Sequence, residues 1–339
     1  MNRRYLFAAI ALVIAAVAAV VFAANTSPNR LGGGTAAGDS SPLPPLDAKG
    51  WINTPPLTTA QLKGKVVVYD VWTYSCVNCV RTIPYVRSWY DRYKKDGLVV
   101  IGVHSPEFQF EKNHANVARA VKKLGVDYPV ALDDDMTIWN ELNNEYWPAD
   151  YIYNRAGKQV STHFGEGGYT ETENELRKLL GVPSSSPRAK VGAMEGGSDT
   201  STDLTGETYN GSERGAEGFA SPEVLANGTH TYTTPDQLDP GYHALSGKWQ
   251  IDDEYVQSAA AGASISIRYQ ASQVNLVLAP SGSKPVDAVV KVDGKVVKTV
   301  HVTAADLYSL VAVKTFGTHT LQLVANGPGL RAYAFTFGG

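Results

Sequence analysis

The feature that most constrains this chain is a mostly apolar run that ends beside a cysteine pair. Val66-Val67-Val68-Tyr69-Asp70-Val71-Trp72 leads through three residues into Cys76-Val77-Asn78-Cys79. A run rich in β-branched residues reads as a strand buried on both faces. The residues after it, Val77 to Lys94, repeat apolar positions at helical spacing. Cys76 and Cys79, the only two cysteines in the chain, therefore sit where a buried strand turns into a helix. A helix amino terminus presents unsatisfied N–H groups and a positive dipole end, which favour a thiolate at the first cysteine. Cys76 is accordingly the attacking thiol. Cys79, one turn later on the same face, is placed to attack a mixed disulfide on Cys76 and release the partner.

Other uses of two cysteines fit less well. A bridge across two intervening residues closes too small a loop to be a purposeful structural staple. Zinc needs further ligands, and His104, His114 and His163 are scattered without a second cysteine pair.

Around the pair, strand and helix patterns alternate. Strands are predicted at Val66 to Trp72, Leu98 to Val103 and Tyr128 to Leu132, and helices at Val77 to Lys94 and Phe108 to Leu124. Ala149 to Tyr153 and Gln159 to Phe164 read as a hairpin about Asn154-Arg155-Ala156-Gly157, followed by a helix from Thr170 to Leu180. The expected fold is mixed α/β with a late antiparallel hairpin.

At this point the sequence resembles the thioredoxin superfamily. Trp72 stands four residues before the first cysteine and Asp70 six before it, both family positions. The resemblance implies that Asp70 handles a proton beneath Cys79, against the plainer reading of a solvated strand-end carboxylate. Trp147-Pro148-Ala149 occupies the place of the family's cis-proline loop, which implies a cis bond before Pro148 and backbone beside the redox pair for substrate pairing. Trp72 and Trp147 are expected at the substrate groove, although Trp72 equally reads as core. Pro84 falls inside the active-site helix, also as in the family. Arg81-Thr82-Ile83-Pro84-Tyr85, Val100 to Phe108, Tyr146-Trp147-Pro148-Ala149 and Gly165-Glu166-Gly167 resemble TlpA-type redoxins, and most of all the periplasmic part of DipZ-type proteins. Leu307-Tyr308 and Ala334-Phe335-Thr336-Phe337-Gly338 resemble the carbohydrate-binding-module-like domain of those chains.

The remaining sequence supplies the setting. Arg3 and Arg4 precede an uncharged run of 20 residues from Tyr5 to Ala24. At about 1.5 Å per residue a helix of that length spans the roughly 30 Å hydrocarbon core of a bilayer. Residues 1–24 therefore read as a signal anchor with the body outside, the alternative being a signal peptide cleaved near Val21-Phe22-Ala23. Residues 25–50, rich in Gly, Ser and Pro, read as a flexible stalk, residues 51–181 as the redox domain and residues 182–204 as a linker. From residue 205 onward short alternating segments, among them Ala263 to Tyr269 and Val274 to Leu278, predict an all-β sandwich of jelly-roll type, with Asp293-Gly294 as a hairpin turn.

A net charge of -3 offers no basic surface for phosphates, which excludes nucleic acid as a partner class. The expected activity is thiol–disulfide exchange with disulfides or thiols of exported proteins, run as a reductase because Val77 and Asn78 include no histidine to stabilise the thiolate. The redox-active pair itself is the only cofactor expected. With a single candidate span, the resemblance implies a separate membrane thiol transporter as electron donor. Two rivals stand beside this reading. A peroxiredoxin-like peroxidase lacks its Pro-x-x-x-Thr-x-x-Cys pattern before Cys76. A binding module would dock a glycan or partner protein, with Trp249, Tyr255, Tyr269 and Tyr308 as candidate sugar platforms. His104 and Glu107, near the same face, carry no assigned catalytic role.

Overall fold

The computed structural model describes residues 35–37, 42–191 and 204–338. The expected membrane span lies outside the described residues, and among those described no helix is long and apolar enough to cross a membrane. The first domain runs β1 (Thr35–Ala37), β2 (Gly50–Ile52), α1 (Thr59–Leu62), β3 (Val66–Trp72), α2 (Val77–Tyr93), β4 (Leu98–His104) and α3 (His114–Leu124). It continues with β5 (Val130–Leu132), α4 (Thr137–Glu141), β6 (Ala149–Tyr153), β7 (Gln159–Phe164) and α5 (Tyr169–Leu180). Its sheet has the order β1-β7-β6-β3-β4-β5-β2, with β3, β4 and β5 parallel and the other pairings antiparallel.

β3 is central and all seven of its residues are buried. Both faces are covered, which is why its sequence does not alternate with polar residues. Val66, Val68 and Trp72 pack with Cys79, Ile83 and Trp89 of α2. Val67, Tyr69 and Val71 pack on the other side with Leu62 and Ile138.

Three expectations are revised here. The helix foreseen from Phe108 to Leu124 is split into a 3-10 turn at Gln109–Lys112 and α3. Asn113 takes an extended conformation between them, and its Oδ1 accepts from the N–H groups of Ala115 and Asn116, so it starts a new helix instead of continuing the old turn. Part of the segment foreseen as a stalk is built into the sheet. β1 pairs with β7, Leu43 N donates to Gly157 O, and Leu43, Leu46 and Ala48 cover the second face. Residues 182–191 likewise fold back, with Arg177 Nη2 donating to the carbonyls of Pro183, Ser184 and Ser186.

The second domain is all-β. Its strands are β8 (Thr208–Tyr209), β9 (Gly228–Tyr232), β10 (His243–Ile251), β11 (Val256–Ser258), β12 (Ser264–Pro280), β13 (Val286–Val292), β14 (Lys295–Val302), β15 (Asp306–Ala325) and β16 (Leu330–Gly338). The segments foreseen as separate strands at Ala263 to Tyr269 and Val274 to Leu278 are halves of β12. Its first half pairs with β10 and its second with β16, while β15 runs along both halves with register shifts near Ala271 to Asn275. Bulges let one long strand bend and pair with different partners along its length, so all nine strands form one hydrogen-bonded network. Asp293 and Gly294 have φ of 49° and 77°, the left-handed pair of a tight hairpin.

The domains meet through Phe108 and Phe110, which pack with Val277, Ala279 and Tyr333. Glu107 accepts from Tyr209 Oη and pairs with Arg214, each at 2.8 Å. Its function is thus at the domain junction.

Candidate active site

β3 delivers the chain to the carboxyl edge of the sheet, where Cys76 becomes the N-cap of α2. The Cys79 N–H donates to Cys76 Sγ at 3.2 Å. Negative charge on this sulfur therefore meets a backbone donor and the positive end of a 17-residue helix. The two thiols are unequal. Cys76 is partly exposed, whereas Cys79 is wholly buried, and burial foremost pushes the Cys79 thiol well above its ordinary range, with the neighbouring Cys76 adding to the rise. An exposed sulfur for attack is thus paired with a protected one that needs a base.

A carboxyl lies close by. Asp70 lies beneath Cys79 at 1 % exposure, and its charge bears on the thiol. Burial pushes the Asp70 carboxyl up to about 7, while a hydrogen bond donated by Tyr128 Oη at 2.9 Å favours the ionised form. Gly102 is its register partner on β4, and a Cβ there would stand 2.9 Å from both Trp72 Nε1 and Tyr128 Cε2. The glycine therefore lets Trp72 and Tyr128 close over the acid.

The Trp147–Pro148 bond is cis. Val71 pairs with Ala149, so this peptide lies at the end of β3 from which the chain runs into Cys76. Trp147 is half-buried and donates from Nε1 to Ser105 O at 3.0 Å. Trp72, by contrast, is wholly buried and edge-on to His104, with ring centroids 5.2 Å apart. It is core and not a groove wall, because β3 is covered on both faces up to its last residue.

Several participants escape sequence reasoning. Glu111 is fully buried and accepts from Ser75 Oγ at 2.6 Å and from the N–H groups of Glu107 and Phe108. It ties the residue before Cys76 to the turn carrying the domain junction, and burial pushes its carboxyl up to about 7. Its only sequence signal was an acid inside a segment read as helix. Asp150, on β6, is a charge within an apolar strand, the same signal that marks Asp70. His104 is buried and neutral, its pKa pushed down to about 3 by desolvation.

The second domain touches the site directly. Tyr74 Oη donates to Ala305 O at 3.4 Å, and Arg81 donates to Gln273 Oε1 and Glu166 Oε1, each at 3.3 Å. These residues flank the cysteines on both sides. Of the sugar-platform candidates, Trp249 and Tyr269 are buried in the core, Tyr308 Oη is committed to Ala304 O, and Tyr255 is covered by Arg331 at 4.5 Å.

Residues 52–158 match the family model described as Redoxin, and residues 205–338 match that described as Thioredoxin like C-terminal domain. Each domain thus matches a family model of its own. It is 36 % identical over 298 residues to Protein DipZ of Mycobacterium bovis and equally to that of Mycobacterium tuberculosis, covering 85 % of this chain and 41 % of DipZ. The chain thus spans less than half the length of these relatives. Thiol-disulfide oxidoreductase YkuV of Bacillus subtilis is 28 % identical over 141 residues, covering 41 % of this chain and 94 % of that protein. A solved thioredoxin-like protein in its oxidised form is 27 % identical, with a TM-score of 0.39, covering 42 % of this chain and 96 % of that one.

Proposed function

We propose that this chain is an extracytoplasmic thiol–disulfide oxidoreductase that reduces disulfides of exported proteins through a Cys76–Cys79 cycle. The observation that carries the reading is the inequality of the two thiols: Cys76 partly exposed at a helix N-terminus, Cys79 buried close to Asp70. Cys76 thiolate attacks a client disulfide, one client sulfur leaves, and a mixed disulfide forms. Cys79 passes its proton to Asp70 and attacks Cys76 Sγ. The Cys76–Cys79 bond forms, the second client sulfur leaves, and two electrons have moved from enzyme to client. A membrane thiol transporter returns them.

Tyr146, 54 % exposed, and half-buried Trp147 supply apolar surface beside the cis peptide for a client backbone. Val77 and Asn78 place no positive side chain between the cysteines, which supports the reducing direction. The second domain is read as a brace for the active-site helix and, for its partner class, as a docking surface for protein in preference to glycan, because its candidate platforms are buried or occupied.

The test is trapping in native membranes. Cys79→Ser is expected to accumulate a mixed disulfide through Cys76, and Cys76→Ser none; insulin reduction persisting in both variants would refute the cycle. Titration against glutathione checks direction, a potential above about -150 mV being incompatible with a reductase.

A further inference from the structure

Three ionisable side chains stand in one row across the sheet beneath the redox pair. Asp70 on β3 is the register partner of Asp150 on β6, and Asp150 is the register partner of His163 on β7. Directly opposed residues of antiparallel strands point to one face, with Cβ atoms about 4.5–5.5 Å apart. It is the face on which Val68 and Ile152 pack with Cys79, so the row begins under the buried thiol.

All three are buried, Asp150 at 8 % and His163 at 4 % exposure. Asp150 Oδ1 has no hydrogen-bond partner among the described residues, and the His163 ring meets backbone groups of Gly165, Glu166 and Gly167. Leaving such atoms unpaired in a core is costly, and polar groups kept there serve something other than stability. The far end of the row lies under the loop of residues 165–168. A Cβ on Gly168 would stand 2.7 Å from His163 Cε1, and the same loop carries Glu166, which Arg81 of α2 holds.

The groups facing this row are few. Asp150 meets Asp70 from β3, His163 from β7, Tyr128 from the turn before β5 and Tyr169 from α5. Asp70 also meets Cys79 from α2, Asp127 bears on Tyr128, Glu171 of α5 bears on His163, and Glu166 of the 165–168 loop bears on Tyr169. None of these is a lysine or arginine, so two adjacent carboxyls without a cation hold at most one negative charge between them.

Building on the redox cycle proposed above, we infer that Asp150 is a second proton-handling residue: it and Asp70 share one proton, and with His163 it carries protons between Asp70 and the surface at residues 165–168. With the shared proton on Asp150, Asp70 is free to take the proton of the Cys79 thiol. Cys79 sulfur then attacks Cys76 Sγ, the Cys76–client bond breaks, and the client thiolate takes a proton from water. Asp150 passes its proton outward through His163 and receives that of Asp70, which resets the pair. Burial and the charge of Asp70 both hold the Asp150 carboxyl well above its usual range, as the sharing requires.

The experiment uses the reduced protein and 5,5′-dithiobis-(2-nitrobenzoate), which releases one chromophore when Cys76 attacks and a second when Cys79 resolves the mixed disulfide. Asp150→Asn is expected to leave the first release within about twofold of wild type. It should slow the second about tenfold at pH 7 and shift its pH midpoint, because Asp70 then ionises with no neighbouring carboxyl to share the proton. Asp150→Glu is expected to restore the profile, and His163→Gln to slow the second release without moving the midpoint. A second release in Asp150→Asn with wild-type rate and midpoint overturns the inference. A first release that does not depend on Cys76 overturns the underlying cycle instead, so the two failures are distinguishable.

Discussion

Tyr128 donates its phenolic hydrogen to Asp70 Oδ2 at 2.9 Å, within a core sealed by Trp72 and made possible by the missing side chain of Gly102. This bond is the one interaction that draws the pKa of Asp70 down against the burial that raises it. It therefore sets how readily Asp70 ionises.

Tyr128→Phe removes a donor to the ionised carboxylate, so the Asp70 pKa rises further above about 7. The pH midpoint for the Cys79-dependent second release of chromophore is expected to move upward by about one unit. Stopped-flow absorbance between pH 5 and 9 checks it. An unchanged midpoint would show that Tyr128 packs without tuning the acid.

Asp70→Asn tests the same group through stability. A carboxyl whose folded pKa is about 7 against an ordinary 3.8 binds its proton more tightly in the folded state. Its contribution is full below the ordinary value and is lost as pH rises through about 7. The melting temperature of Asp70→Asn relative to wild type is therefore expected to increase from pH 5 to pH 8. Differencing against wild type removes the opposite contribution of His104, whose lowered pKa favours the fold at higher pH. Calorimetry showing a flat difference would contradict the burial assigned to Asp70.

Glu111→Ala leaves the Ser75 hydroxyl and the N–H groups of Glu107 and Phe108 without their acceptor. Unpaired buried donors cost about 1–3 kcal/mol each, and partial rearrangement brings the expected loss to about 3 kcal/mol. Urea denaturation measures it. Because Ser75 precedes Cys76, the rate of Cys76 alkylation by iodoacetamide is expected to change in the same variant.

Glu107→Ala strips Arg214 and the Tyr209 hydroxyl of a shared carboxylate at the domain junction. Arg214 is 39 % exposed, so screening reduces the cost from that of a fully buried pair to about 2 kcal/mol. Unfolding is expected to separate into two calorimetric transitions as the domains uncouple, and a single unshifted transition would show that Phe108 and Phe110 suffice to hold them.

Local sequence carried the first domain a long way. The bounds of β3, β6 and β7 follow from β-branched and aromatic runs, and α2 from its apolar spacing after Cys76, because these signals are set by neighbours along the chain. The cysteine pair, Asp70 and Pro148 were legible from their spacing and from resemblance to a family. Trp72 was misplaced at the groove, since exposure depends on what covers a strand and not on its composition. The two halves of β12 looked like separate strands because a bulge interrupts the alternation that marks a strand.

What sequence alone determined is the reactive unit: a buried strand, a turn and a helix that begins at Cys76, with the second thiol one turn on. Tertiary structure decided which groups surround it. Glu111 reaches Ser75 across a separation of 36 residues, Ala305 meets Tyr74 across 231, and Asp150 comes beside Asp70 through antiparallel register. Contacts of that range leave no periodic trace, because they arise from strand order and domain packing and not from the conformational preferences of adjacent residues.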